Sequence, residues 1–236
     1  MITNAEIKHI RSLREKKFRD EYGQFVVEGE KMVREALASG MEVVGHWSVE
    51  EIGESAMSKI SQFSTPSPVL AVVAKPRPQS PSETPERGLY LALDSVRDPG
   101  NLGTIIRIAD WFGVRSVLVS EDCVEQYNPK VVQASMGSIF RVSLVKADIP
   151  EACRSFRKAG MNVWGMVLDG QDIYKESLDG EGLVVMGNES VGISPAVRAE
   201  LSRGLLIPSF GESGAESLNV AVATAVTLSE FRRRTR

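Results

Sequence analysis

The apolar positions follow one rhythm along most of the chain. From residue 89 onward, short runs of Val, Leu and Ile alternate with segments whose apolar residues recur at helical spacing. The runs predict strands over 89–96, 116–119, 141–145, 162–168, 183–186 and 204–208. The segments between them predict helices over 104–112, 129–137, 150–159, 195–201 and 218–233. Strands that are apolar throughout are buried on both faces, so the expected core is a mainly parallel sheet covered by helices. Residues 1–75 show a smaller version of the pattern: a helix over about 4–17, strands over 24–27, 43–47 and 69–74, and helices over 31–38 and from Glu50. The stretch PRPQSPSETPERG, 76–88, has the composition of a linker. The expected organisation is therefore a small α/β domain over 1–75, a linker over 76–88 and a larger α/β domain over 89–236.

Composition narrows the chemistry. The 236 residues include two cysteines, Cys123 and Cys153, with no metal spacing between them, which predicts a reducing cytoplasmic setting. His9 and His46 are the only histidines, and they argue against a histidine metal site or a Ser-His triad. No signal peptide and no apolar run of membrane-spanning length is expected. The net charge of −3 conceals an uneven distribution. Lys8, Arg11, Arg14, Lys16, Lys17 and Arg19 crowd the first segment, and Arg232, Arg233, Arg234 and Arg236 crowd the last. Between them, 18 basic residues face 29 acidic ones. Basic ends on an acidic body can bind phosphate locally, or can simply be solvated helix faces.

Ligands in parallel sheets bind beyond the carboxyl ends of the strands, so the loops after strands carry the most information. In LALDSVRDPGNLGTIIRIADWFGV, 91–114, a strand breaks at Asp98-Pro99-Gly100, and Asn101 or Thr104 can cap the next helix. Arg107 lies inside that helix between two isoleucines. The turn is not a dinucleotide fingerprint: it lacks G-x-G-x-x-G, and Pro99 removes a backbone donor. In LVVMGNESVGIS, 183–194, a buried strand runs into Gly187, Asn188 and Glu189, and Ser194-Pro195 opens a helix. In LLIPSFGESGAESLNVAVATAVTL, 205–228, a strand ends at Ile207-Pro208, and Ser217-Leu218-Asn219 enters a helix of small apolar residues that wants close partners.

Together these loops resemble the three motifs of the SpoU (TrmH-type) RNA ribose methyltransferases of the SPOUT superfamily. Asn101 and Arg107 carry the first motif, Gly187, Glu189 and Gly192 the second, and Ile207, Pro208, Ser217, Leu218 and Asn219 the third. The likeness spans about 89–234. The segment between Pro208 and Ser217 is slightly longer than the family's commonest form. VVEGEKMVREAL, 26–37, and the basic first helix resemble the small RNA-binding domain that often precedes this catalytic domain.

The resemblance implies a parallel sheet whose C-terminal part is threaded into a deep trefoil knot, a departure from ordinary connection rules. It implies S-adenosylmethionine as methyl donor, held by Leu168, Gly187, Ile207, Pro208 and Leu218, with no metal. It implies methyl transfer to a ribose 2′-hydroxyl, with rRNA favoured over tRNA by the N-terminal extension. Arg107 would lie near the hydroxyl and a phosphate, with Asn101, Ser217 and Asn219 orienting it. Glu189 would either accept the proton or hold Asn101 and Arg107. Lys8, Arg11 and Lys16 are the expected RNA contacts of the small domain. A homodimer is expected. The alternatives are an RNA-binding module of this fold without catalysis, and a nicotinamide-dependent enzyme, which the missing glycine fingerprint disfavours.

Overall fold

The computed structural model describes residues 2–77, 80–81, 84–211 and 216–233. In chain order the elements begin with α1 (Asn4–Ser12), α2 (Lys16–Tyr22), β1 (Gln24–Glu28), α3 (Glu30–Ala38), β2 (Val43–Ser48), α4 (Val49–Ile52), α5 (Glu54–Ile60) and β3 (Val69–Ala74). There follow β4 (Leu89–Leu93), α6 (Pro99–Trp111), β5 (Val117–Val119), α7 (Pro129–Ser135), β6 (Leu144–Lys146) and α8 (Ile149–Lys158). The last are β7 (Val163–Asp172), β8 (Gly182–Met186), α9 (Pro195–Arg198), β9 (Arg203–Leu206) and α10 (Val220–Arg233). Packing divides the chain into two units: Met1–Arg77 with Glu125–Arg141, and Pro78–Val124 with Val142–Arg236. Of the expected linker, residues 78–79 and 82–83 lie outside the described residues.

In the first unit an antiparallel sheet of order β1-β3-β2 carries helices. α1 starts at a capping box in which Thr3 and Glu6 satisfy each other's backbone donors. The single helix expected over 4–17 is in fact two. α1 ends at Leu13, and Lys16 belongs to α2, so Lys16 does not share a helix face with Lys8 and Arg11. Ile10 and Leu13 are buried against Met57, Ile60 and Leu70, which leaves Lys8 and Arg11 exposed on the other side of α1. The helix expected from Glu50 is likewise split at Gly53, whose φ of 80° a side chain would resist.

Residues 125–141 belong to this unit and not to the larger domain in which the sequence pattern places them. Tyr127, Val132 and Ile139 pack with Phe25, Val33 and Val73. The Tyr127 and Phe25 ring centroids stand 4.5 Å apart. Arg19 is 2% exposed and pairs with Glu125, while its Nη1 donates to the carbonyls of Leu13 and Arg14. One member of the basic N-terminal cluster is thereby a structural tie and not a phosphate contact.

The second unit is a six-stranded sheet of order β6-β5-β4-β8-β7-β9, parallel throughout. Its central strands β4, β5 and β8 are buried on both faces, as the apolar runs require. Strand order runs outward from β4 through β5 and β6, and on the other side from β8 through β7 and β9. The switch point lies between β4 and β8, where the loops after both strands meet. β7 is longer than expected and bulges between Met166 and Gln171, pairing with β9 on both sides of the bulge. α10 returns to α6, where Arg232 donates from Nε to the Phe112 carbonyl and from Nη2 to the Gly113 carbonyl, 2.7 Å each. Arg232 thus satisfies the open end of α6, and Arg233 pairs with Glu230. Arg234 and Arg236 lie outside the described residues.

Candidate functional site

α6 begins earlier than the apolar spacing suggests. Its N-cap is Asp98, whose Oδ1 accepts from the Asn101 backbone N–H at 2.7 Å, and Pro99 occupies the first helical position. Neither Asn101 nor Thr104 is the cap. The Asn101 side chain is therefore free, and it reaches across to the loop after β8. Its Nδ2 donates to Glu189 Oε1 at 3.0 Å, and its Oδ1 accepts from Asn219 Nδ2 at 2.9 Å. Asn219 in turn caps α10, its Oδ1 accepting from the N–H groups of Ala221 and Val222 at 2.9 and 3.2 Å. The two backbone donors fix which end of the Asn219 amide is oxygen, and that fixes Asn101.

Glu189 anchors this chain of amides. Besides Asn101, Oε1 accepts from the Asp98 N–H at 3.1 Å. Oε2 accepts from the Arg97 N–H at 3.3 Å and from Asn188 Nδ2 at 3.4 Å. Partial burial alone would raise the Glu189 pKa, but the Asn101 amide and the backbone donors outweigh it and hold the carboxyl below the ordinary glutamate value. A carboxylate so engaged is a poor proton acceptor and a good anchor. Each Nδ2 of Asn101 and Asn219 keeps a second hydrogen, so the cluster can donate to a substrate oxygen.

The loop after β8 is held by its own backbone. Asn188 and Gly192 exchange both N–H···O bonds at 3.0 Å, and Gly192 sits at φ 71°. The sequence reading gives Gly187 a role in approaching a ligand. The structure supplies a nearer reason: a Cβ at 187 would stand 2.2 Å from the Gly192 carbonyl carbon and 2.3 Å from the Ile193 nitrogen. Ser194 opens α9 without a side-chain cap bond, and its N–H donates to the buried Asp94 Oδ2 at 2.7 Å.

The remaining expected residues form no hydrogen bond with this cluster among the described residues. Ser217 is exposed and forms no hydrogen bond among the described residues. Arg107 is exposed and forms neither hydrogen bond nor ion pair among the described residues. Six residues after Asn101, it points about 120° away around α6. It shares that outer face with Trp111, which is 85% exposed, and α10, which packs on α6, carries the half-exposed Val222. On the cofactor side, Ile207 and Pro208 are half-buried, whereas Leu168 (70%) in the bulge of β7, Val191 (82%) in the loop after β8, and Phe210 (89%) and Leu218 (51%) in the loop after β9 expose apolar surface. Four large apolar side chains open to water at the carboxyl end of a sheet suit the flat apolar face of an adenosyl group, so the residues fit such a ligand. No group of three or more His, Cys, Asp or Glu side chains able to hold a metal occurs among the described residues.

Sequence reasoning missed Asp98, Asn188 and Asp122. Pro99 at the first helical position was the available signal for Asp98. His9 is a satisfied packing residue: Nε2 lies 2.7 Å from Gln24 Oε1, and the ring meets Tyr22 edge-on.

Comparison with known proteins supplies independent information. Residues 88–229 match the SpoU rRNA Methylase family, and residues 4–47 match the MRM3-like substrate binding domain. The chain is 30% identical to the 23S rRNA (guanosine(2553)-2′-O)-methyltransferase RlmP of Bacillus subtilis, over 97% of this chain and 96% of that protein. A solved TrmH-family protein from Porphyromonas gingivalis superposes with a TM-score of 0.90 at 40% identity, covering 99% of each chain. An AdoMet-bound rRNA methyltransferase from Sinorhizobium meliloti superposes with a TM-score of 0.86 at 32% identity, covering 100% of this chain and 97% of that one.

Proposed function

The chain belongs to the SpoU rRNA Methylase family, and on that premise we propose that it transfers a methyl group from S-adenosylmethionine to a ribose 2′-hydroxyl of ribosomal RNA. The observation that carries this reading is the hydrogen-bonded chain Glu189–Asn101–Asn219, which joins the loops of all three motifs at the switch point of the sheet. The rRNA substrate is supported by what the Bacillus subtilis and Sinorhizobium meliloti relatives are named for. S-adenosylmethionine supplies an activated methyl on a sulfonium and is left as a neutral thioether, so the protein has to place the hydroxyl, keep water off the methyl, stabilise developing negative charge and let the hydroxyl proton pass to solvent.

In this reading, Leu168, Gly187, Ile207, Pro208 and Leu218 border the cofactor, and the segment after β9 is threaded through the knot of the family. Asn101, Ser217 and Asn219 orient the ribose. Arg107 grips an adjacent phosphate and stabilises the alkoxide; a guanidinium is far too basic to act as general base. Glu189 holds Asn101 in place, the second of the two roles open at the sequence level. Lys8 and Arg11 contact RNA phosphate, with Lys16 contributing from α2 while also pairing with Asp20. The protein works in the cytoplasm as a homodimer, formed through the outer face of α6 and α10 that carries Arg107, Trp111 and Val222. The site is then completed across the dimer, because Arg107 faces away from Asn101 within one chain.

Calorimetry tests the cofactor assignment directly. S-adenosylmethionine should bind with a Kd in the micromolar range and NAD should give no heat; the reverse would sink the reading. RNA contact by α1 is read from salt dependence. The triple Ala variant at Lys8, Arg11 and Lys16 should show a slope of log affinity on log salt shallower by roughly 2–3. An unchanged slope would return α1 to a solvated face.

A further inference from the structure

The loop between β4 and α6 carries the Arg97 and Asp98 N–H groups to Glu189, and it is held from outside by a carboxylate that none of the three motifs contains. Asp122, in the loop after β5, accepts from Ser95 Oγ at 2.5 Å and from Arg97 Nη2 at 3.1 Å on Oδ2, and from Ser120 Oγ at 2.7 Å on Oδ1. Ser120 Oγ in turn accepts from the Ser95 N–H at 2.9 Å. Ser95 is one of two described non-glycine residues with positive φ, at 63°. A side chain in that region is strained, and it persists only where neighbours over-determine it. From the other side, Asn188 Nδ2 donates to the Ser95 carbonyl at 2.7 Å.

We propose that Asp122 is a positioning residue for methyl transfer: by clamping Ser95 in its left-handed conformation, together with Ser120 and Arg97, it aims the Arg97 and Asp98 N–H groups at Glu189 and so presets Asn101. The inference rests on the functional reading above. Its physical content is that a loop residue outside the three motifs fixes a donor array whose placement has to be accurate to a fraction of an ångström. The three donors also hold the Asp122 carboxyl down at about 2, so the clamp stays charged at any pH where the protein works.

The test uses the full chain, S-adenosylmethionine, and ribosomal RNA from cells lacking this protein. Asp122→Ala should lower kcat by about tenfold or more while KM for RNA and Kd for S-adenosylmethionine stay within about twofold. Ser95→Gly added to Asp122→Ala should restore about fivefold, because glycine adopts the left-handed conformation without strain. Hydrogen exchange gives a readout independent of turnover: the Arg97 and Asp98 amides should exchange about tenfold faster in Asp122→Ala, with Leu91 and Ala92 in β4 unchanged. If wild type methylates ribosomal RNA and Asp122→Ala keeps both its rate and its amide protection, the clamp is refuted. If wild type methylates no ribosomal RNA, the functional reading fails, and the exchange result alone decides for or against the clamp.

Discussion

Asn101 donates to Glu189 and accepts from Asn219, so each amide has only one orientation that satisfies its neighbours. Glu189→Gln breaks this logic, because one oxygen of the carboxylate becomes an NH2 facing the backbone N–H of Asp98 or Arg97. Hydrogen bonds to a charged group are worth about 1.5–3 kcal/mol, so the rate should fall by roughly ten- to a hundredfold. Affinity for S-adenosylmethionine, measured by calorimetry, should change far less. The pH dependence has a definite sign. The folded Glu189 pKa lies below its ordinary value, so its contribution is complete above about pH 4.5 and is lost as pH falls through the lowered value. Methyl transfer should therefore show no limb from Glu189 between pH 5.5 and 8, and a limb there that vanishes in Glu189→Gln would restore this residue as the general base. Arg107→Ala should abolish transfer and leave cofactor binding intact; lost binding in a folded variant would show that its role is misassigned. At this scale the motif residues were legible in the sequence because their chemistry is unusual for a strand-to-helix turn. The cap was not, since Asp98 and Asn101 are equally good caps and only the position of Pro99 separates them.

Elements were legible where packing on two faces dictates them. The six strands of the parallel sheet all appear, with ends displaced by a few residues, because their apolar runs have no other way to be buried. Less visible were features set by a single backbone event. The break between α1 and α2 and the bulge in β7 each leave the apolar pattern nearly unchanged. The loop after β8 is another such feature, and Gly187→Ala tests it. Its new Cβ would meet backbone that cannot rotate away. Overpacking of this kind costs about 1–3 kcal/mol, so denaturant unfolding should show a loss of that size, accompanied by weakened S-adenosylmethionine binding. A variant as stable as wild type with full cofactor affinity would show that the loop tolerates opening and is not a fixed part of the site.

For the whole molecule, the discontinuous first unit was beyond the reach of the sequence pattern, because 125–141 reads as one more helix of the alternating series. Its membership has a consequence for folding. A fragment of residues 1–77 would lose Tyr127, Val132 and Ile139 from its core and leave buried Arg19 without Glu125. Each large-to-small core loss costs about 2–5 kcal/mol and an uncompensated buried charge about 3–5, against a total stability of about 5–15. The fragment should be unfolded by circular dichroism, and a cooperative thermal transition would contradict this. The proposed homodimer makes a separate prediction about catalysis. Arg107→Ala and Glu189→Gln chains, each poorly active alone, should regain about a quarter of wild-type activity when mixed equally, because half the dimers are mixed and each of those holds one intact site. No regain on mixing would place Arg107 and Asn101 in the same chain's site. The most direct measurement is a map of ribose methylation in cellular ribosomal RNA. A 2′-O-methyl group removes the internal nucleophile of alkaline cleavage, so a methylated position is protected. Without this protein one ribosomal position should become cleavable, and wild type should restore protection while Arg107→Ala should not. A map identical with and without the protein would contradict the account.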